Sequence, residues 1–215
     1  MAYFDMHVDR HWCYGYNMGV KASGRQEGQA EKFLEKLEKK FRCIDPDYKG
    51  ILFDVESINF ELLAEVAKRQ KIAGLPDEEE VCSNLRNLRR LVLYEHYGAL
   101  ALLGANGRPV PYRQPAFDEK INPADERELI LMVWSPKGIK QENFDLKEVL
   151  DFIYDDIYVD TYDDDIPGYR QYVTSIKNQV YAAGNGFQLG KVLNREMRHL
   201  LYCAKKEGLT EKLDL

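Results

Sequence analysis

The chain has no cysteine pair at metal or redox spacing. Cys13, Cys43, Cys82 and Cys203 are scattered over 215 residues, so neither a thiolate metal site nor a disulfide framework is expected. An N-terminal signal with a basic start and an apolar core is also missing, and a reduced cytoplasm is the expected compartment. No run approaches the roughly 18 apolar residues that would cross a bilayer, so no membrane-embedded role is expected. Positive charge is not in excess. There are 30 Lys and Arg against 36 Asp and Glu, giving a net charge of −6 and a pI near 5.4. A nucleic-acid binder would normally show a basic face, and no nucleic-acid partner is expected. Internal repeats and low-complexity tracts are lacking too. What is abundant is apolar and aromatic matter, 45% and 12% of the residues, enough for one cored domain plus an extension.

The patterning begins with a strand over 3–8, a charged turn at Asp9-Arg10-His11, and a second strand from Trp12. There Trp12, Tyr14, Tyr16, Met18 and Val20 alternate with Cys13, Gly15, Asn17 and Gly19, the period of two that marks a strand. These two segments read as an edge hairpin. His7 and His11 are four apart, which serves one face only on a helix; on strands they read as surface or turn residues, and no metal is expected. Ala30, Phe33, Leu34, Leu37 and Phe41 then fall at helical spacing, with Glu and Lys filling the outer face. The connection from Val20 to Ala30 carries Gly24 and Gly28. A glycine-bearing turn of this kind points free N–H groups outward at the positive end of a helix dipole, where a phosphate can sit.

Asp45 to Gly50 is dense in turn residues, and Ile51 to Glu56 reads as the next strand. Strand, helix, strand is a parallel crossover, almost always right-handed, and it brings Glu56 to the sheet end that holds the glycine loop. Asn59 caps a helix carrying Phe60, Leu63, Ala64 and Ala67. A second helix opens on Asp77-Glu78-Glu79-Glu80 and runs to Gly98, with Leu85, Leu88, Leu91 and Val92 as its buried stripe. Strands are expected over 99–103, 110–114 and 128–134, the last apolar enough for burial on both faces. Asp145-Leu146-Lys147-Glu148 has the form of a capping box, and helices are expected over 167–181 and 190–206. The expectation is an α/β fold with a mixed sheet over residues 1–138. Residues 139–215 form a helical extension that packs on the sheet or on a partner.

Two motifs in this order carry a family resemblance. Arg25-Gln26-Glu27-Gly28-Gln29-Ala30 resembles the acyl-CoA pyrophosphate loop of the GCN5-related N-acetyltransferases, Gln/Arg-x-x-Gly-x-Gly/Ala. Asn87 to Ala99, with Tyr94 and Gly98, resembles the family's later Asn-x-x-Ala-x-x-φ-Tyr-x-x-x-Gly-φ segment, departing from it at Arg90, where a small residue is usual. The resemblance covers Trp12 to Trp134 and implies an acetyl-CoA-dependent N-acetyltransferase. It also implies direct attack of a small-molecule or peptide amine on the thioester, a matter mainly of positioning. Cofactor binding would fall to Val20, Arg25, Gln26, Gly28, Gln29, Ala30 and Asn87. Tyr94 would protonate the departing thiolate, while Gly15 and Gly19 would leave room for the pantetheine arm.

Glu56 is the first candidate for the base, with Asp54, Asp9 and His96 as replacements. The family core normally has more strands and helices before the phosphate loop than the 20 or so residues found here. The expectation is that the extension, a second copy or another chain completes the acceptor site. The alternative is a non-catalytic CoA-binding or interaction scaffold on a degenerate form of the fold.

Two further stretches receive structural readings. The acidic tract from Asp151 to Asp165, interleaved with Tyr154, Tyr158 and Tyr162, reads as a solvated loop and helix edge, with attraction of a basic amine as the functional reading. Gly184 to Lys191 has the wrong spacing for a P-loop and no Ser or Thr after the lysine.

Overall fold

The computed structural model describes residues 2–18, 29–69, 78–116, 121, 123–135, 137–160, 166–192 and 195–206. Strands β1 (Ala2–His7) and β2 (Trp12–Met18) form the antiparallel hairpin, turned by a 3-10 segment that ends with His11 at φ 59°. Helix α1 (Gln29–Ile44) leads to β3 (Gly50–Glu56), which lies parallel to β2, as the crossover pattern predicts. Helix α2 (Phe60–Arg69) starts at Asn59, whose Oδ1 accepts from the Leu62 N–H at 3.0 Å. Helix α3 (Glu78–His96) follows. It stops at Gly98, whose φ of +90° suits a residue without Cβ, and the Ala99 N–H closes back on the Tyr94 carbonyl at 3.0 Å.

Strands β4 (Leu100–Leu103), β5 (Tyr112–Gln114) and β6 (Arg127–Trp134) come next. Their order is not sequential. β6 inserts antiparallel beside β3 and is flanked on its other side by β4 and β5. The sequence reading of this region as helical after residue 139 omits one strand, β7 (Gln188–Gly190), which pairs with β4. Three residues with two glycines nearby carry too little periodicity to be seen. The sheet runs β1-β2-β3-β6-β4-β7 with β5 on β6, a mixed, open sheet.

Both faces are covered. Cys13, Ile51, Val55, Ile130, Met132 and Trp134 point to α1, α2, α3 and α6 (Arg195–Lys206). Trp12, Tyr14, Leu52, Leu129, Leu131 and Val133 point the other way, to α4 (Leu146–Asp151), a π-helical continuation over Phe152–Val159, and α5 (Tyr169–Ala183). The extension therefore packs on both faces, with α4, the π segment and α5 as a third layer and α6 beside α2 and α3 on the other side, and β6, buried from Leu129 to Trp134, gives alternate residues to both cores. None of the described helices is long and apolar enough to cross a membrane.

The described part of the acidic tract, up to Asp160, departs from its sequence reading; Tyr162 and Asp163 to Asp165 lie outside the described residues. Phe152, Ile153, Tyr154, Ile157, Tyr158 and Val159 are buried, and the acids between them are ion-paired: Asp151 and Asp155 with Lys177, and Asp156 with Arg10 at 2.6 Å. The wide π turn buries apolar and aromatic residues on most of its circumference and leaves only the carboxylates at the edge. The capping box is half formed. Asp145 accepts from the Lys147 and Glu148 N–H groups, but the Glu148 carboxylate turns to Trp12 Nε1, at 3.2 Å, and to the Lys49 ammonium.

Candidate active site

The site lies where β2 and β3 part. Their ladder runs from Trp12 with Gly50 to Gly15 with Phe53 and ends there. Each strand continues on its other side, β2 with β1 as far as Met18 and β3 with β6 as far as Glu56. A cavity of ≈ 60 Å³ occupies this place, with Phe4, Gly15, Tyr16, Phe53, Asp54 and Tyr94 among its walls. Gly15 and Phe53 belong by strand alternation to the α1 and α3 side, Asp54 and Tyr16 to the other. Residues of both parities line one cavity, so it reaches into the gap between the strands. Gly15 leaves room in the wall: a Cβ there would stand 3.1 Å from the Phe4 ring, which would have to shift by a few tenths of an ångström.

Tyr94 comes to the cavity from the last turns of α3, its ring edge-on to Phe53 at 4.8 Å. That end of the helix is fixed to the sheet by Trp134, whose Nε1 donates to the Tyr97 carbonyl at 2.8 Å. The Tyr94 hydroxyl makes no hydrogen bond among the described residues. Burial raises its pKa, and Arg90, one turn earlier, works against that rise. The residue at which the chain departs from the family pattern thus acts electrostatically on the candidate acid.

The other sequence candidates divide. Val20, Arg25, Gln26 and Gly28 lie outside the described residues, as does Gly19; Gln29 and Ala30 open α1. Asn87 is buried, and its Nδ2 donates to the Ser57 carbonyl at 3.4 Å. With Asn84, whose Oδ1 accepts from the Asn59 N–H, it ties α3 to the β3–α2 link. Glu56 is exposed and faces Arg90 at 3.3 Å; it is not among the residues that wall the cavity. Asp9 and His96 are exposed and away from it.

Asp54 is the carboxylate at the cavity. Tyr14 donates to its Oδ2 at 2.5 Å, and behind Tyr14 stand Tyr158 at 3.2 Å and Tyr112, which is 2.7 Å from Tyr158 and 3.4 Å from Tyr14. All three tyrosines are fully buried. Desolvation raises the pKa of Asp54 while the Tyr14 hydrogen bond lowers it, and the net direction is up. Burial likewise raises Tyr14, Tyr112 and Tyr158, so each is a neutral phenol at physiological pH. The sequence holds one sign of this cluster, an acid inside the apolar strand Ile51-Leu52-Phe53-Asp54-Val55. The tyrosines come from β2, β5 and the π segment and have no shared pattern.

Two other groups have ordinary explanations. The Cys13 thiol is buried under α1 and pushed up to about 12, chiefly by desolvation, so it is no nucleophile. His11, Asp45 and Asp47 hold ligand-type atoms within 4.8 Å of one another. Asp45 is already engaged there, by the His11 ring at 3.0 Å and the Asp47 N–H at 2.9 Å.

The arrangement leaves a small cavity where the two strands part, with the Tyr94 phenol on one side of it and the Asp54 carboxylate on the other. No protein-family model, no curated protein and no solved structure matches the chain.

Proposed function

We propose that the protein is an acyl-CoA-dependent N-acyltransferase, with acetyl-CoA as donor and an amine as acceptor, on a fold of the GCN5-related kind. The parting of the two parallel strands carries this reading. Beyond Phe53, the edge of β3 that faces β2 has lost its ladder, and backbone amides at such an edge seek partners. The pantetheine arm is an extended chain with two amides of its own, suited to bind in a strand's place. Its thioester would then lie by Tyr94, and the pyrophosphate would fall at the N-terminal side of α1, for which the Arg25 to Ala30 sequence motif is the support.

In this reading the amine attacks the thioester carbonyl directly, and rate is gained by alignment and by stabilising the oxyanion. The phenol of Tyr94 supplies the thiolate's proton. The engagement of Glu56 by Arg90 and of Asn87 by Ser57 favours a second reading, the non-catalytic scaffold, because two of the residues assigned to the site already serve the fold.

Titration calorimetry with acetyl-CoA separates the two, with a thermal shift beside it, since a ligand bound only to the folded state raises its stability. Binding is expected, and Gly28→Glu is expected to abolish it by bulk and charge while circular dichroism stays unchanged. Absence of binding at millimolar acetyl-CoA overturns the acyltransferase reading; unchanged affinity in a folded Gly28→Glu protein moves the site elsewhere.

A further inference from the structure

Three phenols and one carboxylate are joined across four elements, and their proton count has only a few solutions. The single proton of Tyr14 is directed to Asp54 Oδ2 at 2.5 Å. Tyr14 must therefore accept from its neighbours: Tyr158 at 3.2 Å and Tyr112 at 3.4 Å stand where each can donate to it, and these two lie 2.7 Å from one another. Hydrogen bonds in such a row polarise one another, and all of them here strengthen an ionised carboxylate at the end. Tyr112 and Tyr158 are buried, and Tyr154 beside them donates to the Arg113 carbonyl. Only Asp54 of this set lines the cavity, and its Oδ1 has no hydrogen-bond partner among the described residues.

We propose that Asp54, held by Tyr14 at the gap between β2 and β3, is the group that accepts the proton of the incoming amine. This assignment rests on the acyltransferase reading. It replaces Glu56, which lies on the same strand two residues later but is exposed and committed to Arg90.

The protons balance as follows. The ammonium gives one proton to Asp54 Oδ1, and the freed lone pair forms the N–C bond at the thioester carbonyl. The tetrahedral adduct collapses with cleavage of the C–S bond, the thiolate takes the proton of Tyr94, and the surplus proton on the new amide nitrogen restores the Tyr94 phenol. Asp54 then releases its proton to solvent, and one proton is lost per turnover.

The groups around Asp54 let it do this. Facing it are Tyr14 and Tyr16 from β2, Tyr112 from β5, Tyr158 from the π segment and Tyr94 from α3, all phenols; Glu56 and Arg90 lie further out as an ion pair. Desolvation keeps the carboxyl basic, and the Tyr14 hydroxyl stops it from being protonated throughout. Such a base operates above the ordinary carboxylate range near about 4. Tyr14 is a positioning residue, since it acts through Asp54.

The test combines kinetics and titration on the intact chain. The donor is acetyl-CoA, and the acceptors are a panel of polyamines and lysine- or arginine-containing peptides. Asp54→Asn is expected to bind acetyl-CoA as the parent does but to lose about 100-fold or more in kcat/KM at neutral pH. Part of the loss should return at high pH, where free amine is abundant. Tyr14→Phe removes a hydrogen bond that favours the ionised form, so the acidic limb of its kcat/KM profile is expected to move to higher pH.

Carbon-13 titration of the Asp54 carboxyl needs no acceptor. It should show a midpoint above the ordinary range that rises further in Tyr14→Phe. Retained turnover in Asp54→Asn, a midpoint at or below the ordinary value, or acetyl-CoA binding without transfer to any amine of the panel would each overturn the assignment. Failure to bind acetyl-CoA at all is instead a failure of the acyltransferase reading.

Discussion

Tyr94 and Tyr97 lie one turn apart near the end of α3 and have different work. Tyr97 offers its backbone carbonyl to Trp134 and fixes the helix to β6. Tyr94 presents a phenol to the cavity with nothing bound to it among the described residues, its pKa raised by burial and lowered by Arg90. A raised pKa keeps the proton in place at neutral pH, and in the proposed reaction Arg90 would favour the phenolate left when the proton is given up. Tyr94→Phe is therefore expected to reduce kcat about 100-fold, in the range of one general acid, with acetyl-CoA affinity unchanged, because the hydroxyl acts in the transition state. Steady-state kinetics beside calorimetry check this. Full activity in the variant would place the proton donor elsewhere.

At the scale of the element, α4 with its π continuation decides how the tyrosine chain is assembled. Asp145 caps α4 through the Lys147 and Glu148 N–H groups, and Leu146, Val149 and Leu150 seat the helix on the sheet. Its axis then carries Tyr154 and Tyr158 into the core under β5 and β2. Loss of the cap is expected to cost about 1 kcal/mol. Asp145→Ala should thus lower the urea midpoint by a corresponding amount without a change of slope. Because Glu148 is engaged with Trp12 and Lys49 rather than with the helix end, Glu148→Gln is not expected to mimic it. An Asp145→Ala protein as stable as the parent would show that packing alone fixes this helix start.

For the molecule as a whole, the sheet is covered on two sides, and the third layer comes entirely from the C-terminal part of the chain. A chain ended at Gly138 would leave Trp12, Tyr14, Leu52, Leu129, Leu131 and Val133 bare on one face, and Tyr14 without Tyr158. An apolar patch of that kind is not compatible with a stable monomer. The shortened chain is expected to aggregate, or to keep far-UV and lose near-UV circular dichroism. A cooperative melt with an intact near-UV signal would show instead that residues 1–138 hold a core of their own.

Periodicity alone determined the elements that are long or strongly patterned. The alternation from Trp12, the helical stripe through Leu34 and Phe41, and the apolar run Leu129–Trp134 each allow one way of burying their apolar side, so the parallel β2-α1-β3 unit and the doubly covered β6 were legible. The Asn59 and Asp145 caps were legible too, because a side-chain oxygen ahead of an apolar run has one common use. The same reading named Tyr94 as the acid through a motif, and named Glu56 first as the base, with Asp54, Asp9 and His96 as replacements. What it had no means to weigh was the position of β6 between β3 and β4, the short strand β7, and the burial of Tyr154 and Tyr158. Those depend on contacts between residues about 30 to 145 apart, for which local patterning carries no signal. The meeting of Asp54 with Tyr14, Tyr112 and Tyr158 is of that kind: four polar groups from four elements, each unremarkable in its own segment, become one network only when the third layer closes over the sheet.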